Sequence, residues 1–310
     1  MIELSQDKVS ARLFAAVVTY RRPDELAHML GAVKRQTKPV SELVVVDNGS
    51  DEASRRLALD AGATYLDPGG NLGPAGGVAT AMRHVLTHAN DGDWLVMLDD
   101  DDPPRADDLL ARLWGFAQAQ AAIDPLTAAV GELGGRYDPR MGIFRRVAAC
   151  EIVGAVPVDV IGGGHLPMYR CGALRRVGVF DESLFFGFEE GEFGQRLRQA
   201  GYSIYADARL WQEWRADTTA QGGAHQATRT SPHKAAWRRY YGVRNATLIA
   251  WRYGDFGAPL LVALGGAAKG VFALASTRRP PREVLLPLRG ALDGLLRRRG
   301  RPINPSRSVK

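Results

Sequence analysis

Cysteine is almost absent from this chain of 310 residues, which has only Cys150 and Cys171. No CxxC pair and no Cys/His spacing suited to zinc occurs, so a disulfide framework and a cysteine-based zinc motif are both excluded. The scarcity of cysteine favours a reducing compartment. Because 45% of the residues are hydrophobic and 24% are charged, the chain can bury one large core or two moderate ones, and wholesale disorder is excluded.

The first seven residues, MIELSQD, lack the basic and apolar regions of a signal peptide, so we expect a cytoplasmic location. The net charge of +6 is concentrated at the other end of the chain. Residues 277–310 contain ten Arg or Lys residues and only two acidic residues. The basic character therefore belongs to the C-terminal segment and not to the rest of the chain.

Short apolar runs alternate with amphipathic segments in the first part of the chain. The pattern predicts strands at 12–19, 43–46, 63–66, 95–98 and 128–133. It predicts helices at 24–36, 51–61, 78–89 and 107–120. This alternation is typical of an α/β fold, with a Rossmann-like, mostly parallel sheet and helices on both faces. Residues 136–157 leave the alternation and are expected to form irregular strands and loops.

Four consecutive aspartates, Asp99 to Asp102, follow the apolar run 94–98. Like charges at the end of a buried strand are costly unless a cation neutralises them. In an open α/β sheet, the carboxyl ends of the strands are also where ligands bind. The run therefore indicates either a divalent cation that carries a phosphate-bearing substrate or a solvated acidic turn shaped by Pro103 and Pro104.

Two other predicted strands end in polar residues, at 19–21 and at 47–48, and should meet the aspartates at one edge of the sheet. The glycine-rich segment 69–77 then leads into a helix. Its backbone N–H groups could approach a bulky ligand, or the segment could be a flexible turn. It matches neither GxGxxG nor GxxxxGK[ST], so dinucleotide and P-loop interpretations are weak.

Three glutamates, Glu189, Glu190 and Glu192, lie within four residues and are flanked by phenylalanines. A carboxylate in an apolar setting has a raised pKa and can act as a general base near neutrality. Acidic residues are also common at the N-terminus of a helix, so a structural explanation stays open.

Five motifs occur in the order typical of family 2 inverting glycosyltransferases, which have the GT-A fold. They are VVTYRR at 17–22, VVVDNGS at 44–50, NLGPAGG at 71–77, the aspartate run from 99 and GVFDESLFFGFEE at 178–190. The resemblance covers about residues 12–250. The motifs are most similar to those of bacterial galactofuranosyltransferases of the actinobacterial cell-wall type, and rhamnosyltransferases are the nearest competitor.

The resemblance implies a nucleotide-sugar site at the sheet edge. The donor would be bound by Thr19, Arg21, Asp47, Asn71, Gly76, Asp99 and Asp100. The pair Asp99 and Asp101 would hold Mg²⁺ or Mn²⁺, while Asp100 and Asp102 could simply shape the turn. Such a cation stabilises the charge that develops on a departing nucleoside diphosphate.

The resemblance also implies the catalytic base and the sugar site. Glu190 matches the family's base, and Glu189 is the alternative. One base suffices because inversion is a single displacement in which the acceptor hydroxyl loses its proton, unlike the retaining scheme with two carboxylates. The acceptor or donor sugar would be bordered by Gly164, His165 and Trp211.

The chain departs from the family pattern at Trp211, which stands where a metal-binding histidine is expected. His225 or His233 could replace that histidine, or the metal could have fewer protein ligands. Segment 237–245 resembles the aromatic and Arg-Asn segment that follows the catalytic domain in these enzymes. Within it, Arg244 could reach a diphosphate or form a structural ion pair.

The composition changes after residue 255. Residues 259–276 are apolar and rich in small residues, and a second apolar and basic helix is expected at about 284–299. The glycines of the first segment and the charge of Lys269 argue against a stable membrane span. An interfacial amphipathic helix beside the basic segment suits an anionic inner leaflet, and a helical packing appendage is the alternative. Nucleic-acid binding is not expected, because no stacking motif or module for it occurs.

We therefore expect a donor-binding half at 1–155, an acceptor and base half at 156–255 and membrane-associating helices at 256–310. The expected function is metal-dependent, inverting transfer of galactofuranose from UDP-galactofuranose to a polyprenyl-linked cell-envelope glycan, at the inner face of the plasma membrane. The alternatives are transfer of rhamnose or another sugar and a non-catalytic, membrane-associated scaffold that binds sugar nucleotides. A nucleotidyltransferase would not need the glutamates beside the phenylalanines.

Overall fold

The computed structural model describes residues 11–220, 235–276 and 279–303. The strands of these residues are β1 (Leu13–Thr19), β2 (Glu42–Asp47), β3 (Thr64–Leu66), β4 (Trp94–Asp99), β5 (Thr127–Gly131), β6 (Gly135–Asp138), β7 (Ile143–Arg146), β8 (Ala155–Pro157), β9 (Met168–Arg170) and β10 (Ser203–Asp207). The α-helices are α1 (Pro23–Lys34), α2 (Glu52–Asp60), α3 (Gly73–Leu86), α4 (Leu109–Ile123), α5 (Cys171–Val177), α6 (Glu189–Gln199), α7 (Ala208–Ala220), α8 (Ala236–Tyr253), α9 (Ala258–Ala275), α10 (Pro281–Val284) and α11 (Leu286–Leu295).

An eight-stranded sheet with the order β3-β2-β1-β4-β9-β5-β10-β8 organises the fold. The first four strands in this order are parallel to one another. β9 is antiparallel to both of its neighbours, β10 is parallel to β5, and β8 is antiparallel to β10. β6 and β7 form a separate antiparallel hairpin. The structure thus confirms the predicted α/β architecture with a mostly parallel sheet.

Successive side chains of the central strands point to opposite faces of the sheet and supply two apolar cores. Phe14 and Ala16 of β1 pack into one core, while Leu13, Ala15 and Val17 pack into the other. Because helices cover both faces, both sets are buried, and the strand appears in the sequence as a continuous apolar run.

Helix α3 begins at Gly73, earlier than the predicted start at residue 78. Pro74 suits a first helical turn because that turn leaves the amide position unpaired. Gly73 has a φ of 71°, and a Cβ atom there would lie 2.0 Å from the carbonyl oxygen of Phe185. The end of the glycine-rich segment is therefore the first turn of a helix that packs closely against the loop before α6, and not a flexible turn.

The predicted halves 1–155 and 156–255 share the large sheet, because β9 lies between β4 and β5. The second predicted boundary falls in the short connection between α8 and α9. Helix α8 packs against both α9 and α11, and its Arg244 and Asn245 side chains donate to carbonyls of the loop before α6. The three-part division stays a prediction.

Helix α9 is long and apolar enough to cross a membrane, with a mean hydropathy of 1.7, and 39% of it is buried within the protein. Its glycines serve helix packing. A Cβ atom on Gly270 would lie 2.7 Å from Pro287, and one on Gly266 would lie 3.2 Å from Val243. The small residues thus let α9 approach its neighbouring helices closely.

Candidate active site

Parallel pairing brings the ends of β1, β2 and β4 to one edge of the sheet. Thr19 is in register with Asp47, and Val18 is in register with Asp99. The polar strand ends that the sequence predicted to meet do lie side by side. Side chains from the loops that follow these strands therefore share the same edge.

A turn after β4 divides the four aspartates into two pairs. The backbone N–H of Asp102 donates to the carbonyl of Asp99 at 3.2 Å. A turn of this kind brings its first and fourth residues close together. Asp100 is buried and accepts from Thr19 Oγ1 at 2.8 Å, whereas Asp101 is exposed and forms an ion pair of 2.6 Å with Arg22.

Asp99, Asp102 and Glu190 converge on the turn Gly163–Gly164. A Cβ atom on Gly163 would lie 2.9 Å from an Asp99 oxygen and 3.0 Å from an oxygen of Glu190. A Cβ atom on Gly164 would lie 2.7 Å from an oxygen of Asp102 and 3.7 Å from one of Asp99. Glycine at both positions therefore keeps open the space that the three carboxylates face. The metal pair predicted from the sequence was Asp99 and Asp101, but the structure directs Asp99 toward Asp102.

Asp99 is accessible to water within the cleft, yet protein atoms and other carboxylates crowd its side chain. Burial, with a further contribution from Glu190 and the neighbouring aspartates, raises the pKa of Asp99 to about 7. Clusters of carboxylate oxygens of this kind are suited to Mg²⁺ or Mn²⁺. The donor set of Asp99 and Asp102 therefore fits a hard divalent cation.

The three glutamates of α6 have different surroundings. Glu192 is buried and fully paired, because Arg196, Arg252 and the hydroxyl of Tyr253 all donate to it. Glu190 is half-buried and accepts from the backbone N–H of Gly163 at 3.2 Å. Of the three, Glu190 is thus the one directed at the carboxylate cluster.

Glu189 is buried, and its Oε2 atom has no hydrogen-bond partner among the described residues. Burial raises the pKa of Glu189 well above its ordinary value, and the adjacent Glu190 raises it further. Both effects favour the protonated form of Glu189 over its charged form.

Arg244 is fully buried and has a structural role. It donates to the carbonyls of Leu184 and Gly300, and Asn245 donates to the carbonyls of Phe186 and Gly187. These two side chains hold the loop before α6, which carries Glu189 and Glu190. Because its donors are used inside the protein, Arg244 does not reach a diphosphate, and the structural alternative is the correct one.

The predicted nucleotide-binding residues Thr19 and Asp47 are buried and hydrogen-bonded within the protein. The carboxylate of Asp47 accepts from the backbone N–H groups of Gly49 and Asp51 and from the hydroxyl of Tyr65. These contacts fix the loop after β2. In this structure neither side chain is exposed to a nucleotide base. Both instead hold the loops at the sheet edge by hydrogen bonds.

Tyr65 also borders a polar cavity of about 390 Å³ beside the ends of β2 and β3. It is lined by Ser50, Asp51, Glu52, Arg55, Tyr65 and Asp67. Arg21 lies nearby, exposed and in the left-handed backbone region with a φ of 54°. Its direct contact with a nucleotide stays a prediction.

The glycine-rich segment is held from two sides. The side chain of Asn48, which the sequence motif contains but which was not singled out as a site residue, donates to the carbonyl of Gly73 at 2.9 Å. Asn71 accepts from the backbone N–H of Gly73 at 2.8 Å. A Cβ atom on Gly76 would lie 2.5 Å from Leu72 Cβ. The structure thus explains Gly76 by packing, and its approach to a diphosphate stays a prediction.

Trp211 does not border the cleft, because its side chain points from α7 into the apolar core and is buried there. Trp214, three residues further along α7, contacts the ring of His165 edge-on, with 5.2 Å between the ring centroids. Residues three apart on a helix face directions that differ by about 60°, which separates the two tryptophans. The proposed substitutes His225 and His233 lie outside the described residues.

Trp214 and Gly164 line a small cleft together with Asp102, Arg105 and Glu132. Arg105 forms ion pairs with the buried Glu132 and with Asp217. Burial raises the pKa of Glu132, although Arg105 opposes this effect. No sequence motif pointed to Arg105 or Glu132, because their neighbours along the chain carry no signal of a shared site.

Arg238 of α8 is a further cation near the acidic edge. Its guanidinium lies 5.0 Å from the ring centroid of Phe186. Burial and the nearby charge of Arg22 lower the pKa of Arg238, while Asp101 raises it. Arg22 and Arg238 therefore lie close enough to interact, next to the exposed aspartate.

A parallel α/β sheet with carboxylates and a glycine turn at its carboxyl edge is the architecture of nucleotide-sugar transferases of the GT-A class. Residues 15–178 match the family described as "Glycosyl transferase family 2", so the chain belongs to this family. The sequence-based prediction of the family and its fold is thus confirmed.

Among characterised relatives, the chain is similar to "Galactofuranosyltransferase GlfT1" of Mycobacterium tuberculosis. The two are 34% identical over 200 residues, which cover 61% of this chain and 65% of the relative. The match therefore spans slightly less than two thirds of the relative's length.

Two solved structures share the fold. The mannosyltransferase PcManGT from Pyrobaculum calidifontis, in complex with GDP-Man and Mn²⁺, has a TM-score of 0.54 and 19% identity and covers 92% of this chain and 87% of its own. GalNAc-T7, with UDP, GalNAc and Mn²⁺, has a TM-score of 0.51 and 13% identity and covers 65% of this chain and 43% of its own. At these identities the likeness is one of fold.

Proposed function

We propose that this protein transfers a sugar from a nucleotide-sugar donor to an acceptor hydroxyl with inversion and with the help of a divalent cation. The observation that carries the proposal is the convergence of Asp99, Asp102 and Glu190 on the turn Gly163–Gly164. This cluster combines cation ligands with a carboxylate that can accept a proton, within a fold of glycosyl transferase family 2.

Asp99 and Asp102 would hold Mg²⁺ or Mn²⁺, which would stabilise the negative charge of the leaving nucleoside diphosphate. Asp101 would join them if Arg22, its present partner, turned toward the diphosphate. Arg22 and Arg238 are the cations best located to bind diphosphate oxygens. The Mn²⁺ in the complexes of PcManGT and GalNAc-T7 supports a cation in this fold.

Glu190 would accept the proton of the attacking acceptor hydroxyl. Its neighbour Glu189 is buried, which favours its protonated form, and it stays the alternative base. Trp214 and His165 would border the sugar, because Trp214 lines the cleft beside Gly164 and the His165 ring contacts Trp214.

The donor that we favour is UDP-galactofuranose, because the chain is 34% identical over 200 residues to the characterised galactofuranosyltransferase GlfT1. The acceptor would be a polyprenyl-linked cell-envelope glycan.

A direct test is a panel of nucleotide sugars with prenyl-linked oligosaccharides, with and without Mn²⁺. Transfer from dTDP-rhamnose and not from UDP-galactofuranose would change the sugar but keep the reaction. Donor binding without any turnover would favour the non-catalytic scaffold.

A peripheral position at an anionic membrane would bring such an acceptor to the cleft. Helix α11 and its flanks expose an apolar stripe of Leu285, Leu288, Leu292 and Leu296. Helix α9 exposes Leu260, Leu261, Leu264 and Phe272. Arginines around 297–301 are exposed beside the stripe. An apolar face with adjacent basic residues is suited to the interface of an anionic bilayer.

Sedimentation with phosphatidylglycerol vesicles tests this position. The double variant Leu288→Glu and Leu292→Glu should reduce vesicle binding by about tenfold or more, because it adds charge to the inserted face. The matched control is Ile123→Glu, at an exposed apolar residue of α4. Equal binding by the double variant and the wild type would contradict the membrane proposal.

A further inference from the structure

A second cluster of possible metal ligands lies at the opposite edge of the sheet. Glu42 begins β2, and His84 and His88 lie in and just after the last turn of α3. One ligand atom from each of the three residues lies within 4.8 Å of the other two. The same strand and helix reach the candidate active site with their other ends, about 16 to 20 Å away.

Each imidazole faces a different oxygen of one carboxylate. His84 Nε2 lies 2.9 Å from Glu42 Oε1, and His88 Nε2 lies 2.6 Å from Glu42 Oε2. His84 lies in the last turn of α3 and His88 lies in the turn that follows it, and both imidazoles face the carboxylate of Glu42. Tetrahedral ligands about 2.0–2.2 Å from Zn²⁺ are about 3.4 Å apart, so the two contacts between imidazole nitrogen and carboxylate oxygen need to lengthen by less than about 1 Å.

The hydrogen bonds of Thr87 determine the orientation of the His88 ring. The Thr87 hydroxyl has a single hydrogen, which it donates to the carbonyl of His84 at 2.6 Å. It therefore accepts from His88 Nδ1, at 3.1 Å. In a neutral ring, Nε2 then carries a lone pair directed at the carboxylate of Glu42. Two lone pairs at 2.6 Å repel each other unless a proton or a metal cation lies between them.

The carboxylate is oriented in the same manner. Thr64 Oγ1 donates to Glu42 Oε1 at 2.6 Å. Ligands that are held by outer hydrogen bonds in this way are typical of metal sites.

We propose that Glu42, His84 and His88 bind a transition-metal cation of the Zn²⁺ type, which clamps the start of β2 to the end of α3. Imidazole ligands favour Zn²⁺ over the Mg²⁺ or Mn²⁺ that suits the carboxylates of the cleft. A water molecule would complete the coordination. The clamp would hold together two elements whose other ends carry Asp47 and the glycine-rich segment.

The test is calorimetric titration of metal-free, full-length protein with Zn²⁺, together with the visible absorption of the Co²⁺ form. The double variant His84→Gln and His88→Gln should weaken Zn²⁺ binding by about 100-fold or more and abolish the absorption of nitrogen-ligated Co²⁺. Thr87→Val should weaken it by about tenfold, because only the outer hydrogen bond is lost. Circular dichroism checks that the variants fold.

Two controls separate this site from others. His28→Gln removes an exposed histidine of α1 and should leave Zn²⁺ binding unchanged. Asp99→Asn alters the carboxylate cluster of the cleft and should also leave the nitrogen-ligated Co²⁺ spectrum intact. The proposal is overturned if the double histidine variant binds Zn²⁺ as tightly as the wild type. It is equally overturned if all Zn²⁺ binding disappears in Asp99→Asn, or if the wild type binds none.

Discussion

Glu190 and Glu192 lie two residues apart in α6, but their surroundings are opposite in kind. Glu190 lies in the cleft, and Glu192 lies at the junction between α6 and α8. At that junction, Glu192 forms ion pairs with Arg196 and Arg252. Arg244 of α8 donates its hydrogen bonds to backbone carbonyls. In the cleft, Glu190 faces Asp99 across Gly163. Buried charges that serve structure are neutralised within the fold, whereas the cleft leaves negative charge for a ligand to neutralise.

The largest effect should follow from Glu190→Gln, which tests the catalytic side of this comparison. If Glu190 is the base, the rate of transfer should fall by about 10²- to 10⁴-fold, because general-base catalysis is lost. Donor binding, measured by calorimetry, should persist because Gln retains the shape and an acceptor oxygen.

Glu192→Gln is the matched control in the same helix. It should lower the free energy of unfolding by about 2 kcal/mol, because Arg196 loses its buried counter-charge. The folded fraction should retain turnover within about tenfold of the wild type. If Glu192→Gln were the inactive variant and Glu190→Gln the active one, the proposed separation of roles would be wrong.

Removal of Arg244 tests the structural side. Arg244→Met should lower the free energy of unfolding by about 3 kcal/mol, because it leaves several buried carbonyls without donors. Urea denaturation measures the change. Because the donors of Arg244 are used inside the protein, the Michaelis constant of the folded variant for the donor should stay close to that of the wild type. A selective loss of diphosphate binding with normal stability would contradict the structural assignment.

A smaller and pH-dependent effect is expected for Asp99→Asn. The pKa of Asp99 is raised to about 7 in the folded protein, so the folded state keeps this proton to a higher pH than the unfolded chain does. Asp99 therefore lowers the free energy of unfolding above the pKa of the unfolded chain, and this loss grows until the pH passes 7. In EDTA the variant should therefore be more stable than the wild type at pH 8, with a smaller advantage at pH 5. Thermal unfolding at the two pH values measures this, and the advantage should be reversed by Mn²⁺, which stabilises only the wild type. An advantage that is the same at both pH values would contradict the raised pKa.

Local patterns were sufficient for much of the fold and for part of the site. The apolar runs of β1, β2 and β4 predicted a parallel sheet, and parallel strands must end at one edge. The convergence of Thr19, Asp47 and Asp99 at that edge follows from this. Helix starts were less predictable. The glycine-rich segment was left open as a flexible turn, but tight packing against Phe185 makes its end the first turn of α3.

Side-chain direction was the part that the sequence pattern could not supply. The resemblance placed Trp211 at the cleft, and only the rotation of α7 against the core shows that Trp211 is buried while Trp214 contacts His165. Arg244 looked equally suited to a diphosphate or to a structural role. Its surroundings come from the loop at 183–187 and from Gly300, which are distant in sequence.

The sequence by itself determined the class of fold, the family and the acidic edge, because strand periodicity and short motifs are local properties of the chain. The tertiary structure decided which acids face one another. The turn after β4 directs Asp99 toward Asp102, and the packing of α6 brings Glu190 to the same glycines. It also decided that Glu42 meets His84 and His88, because contacts between residues so far apart depend on how strand and helix pack.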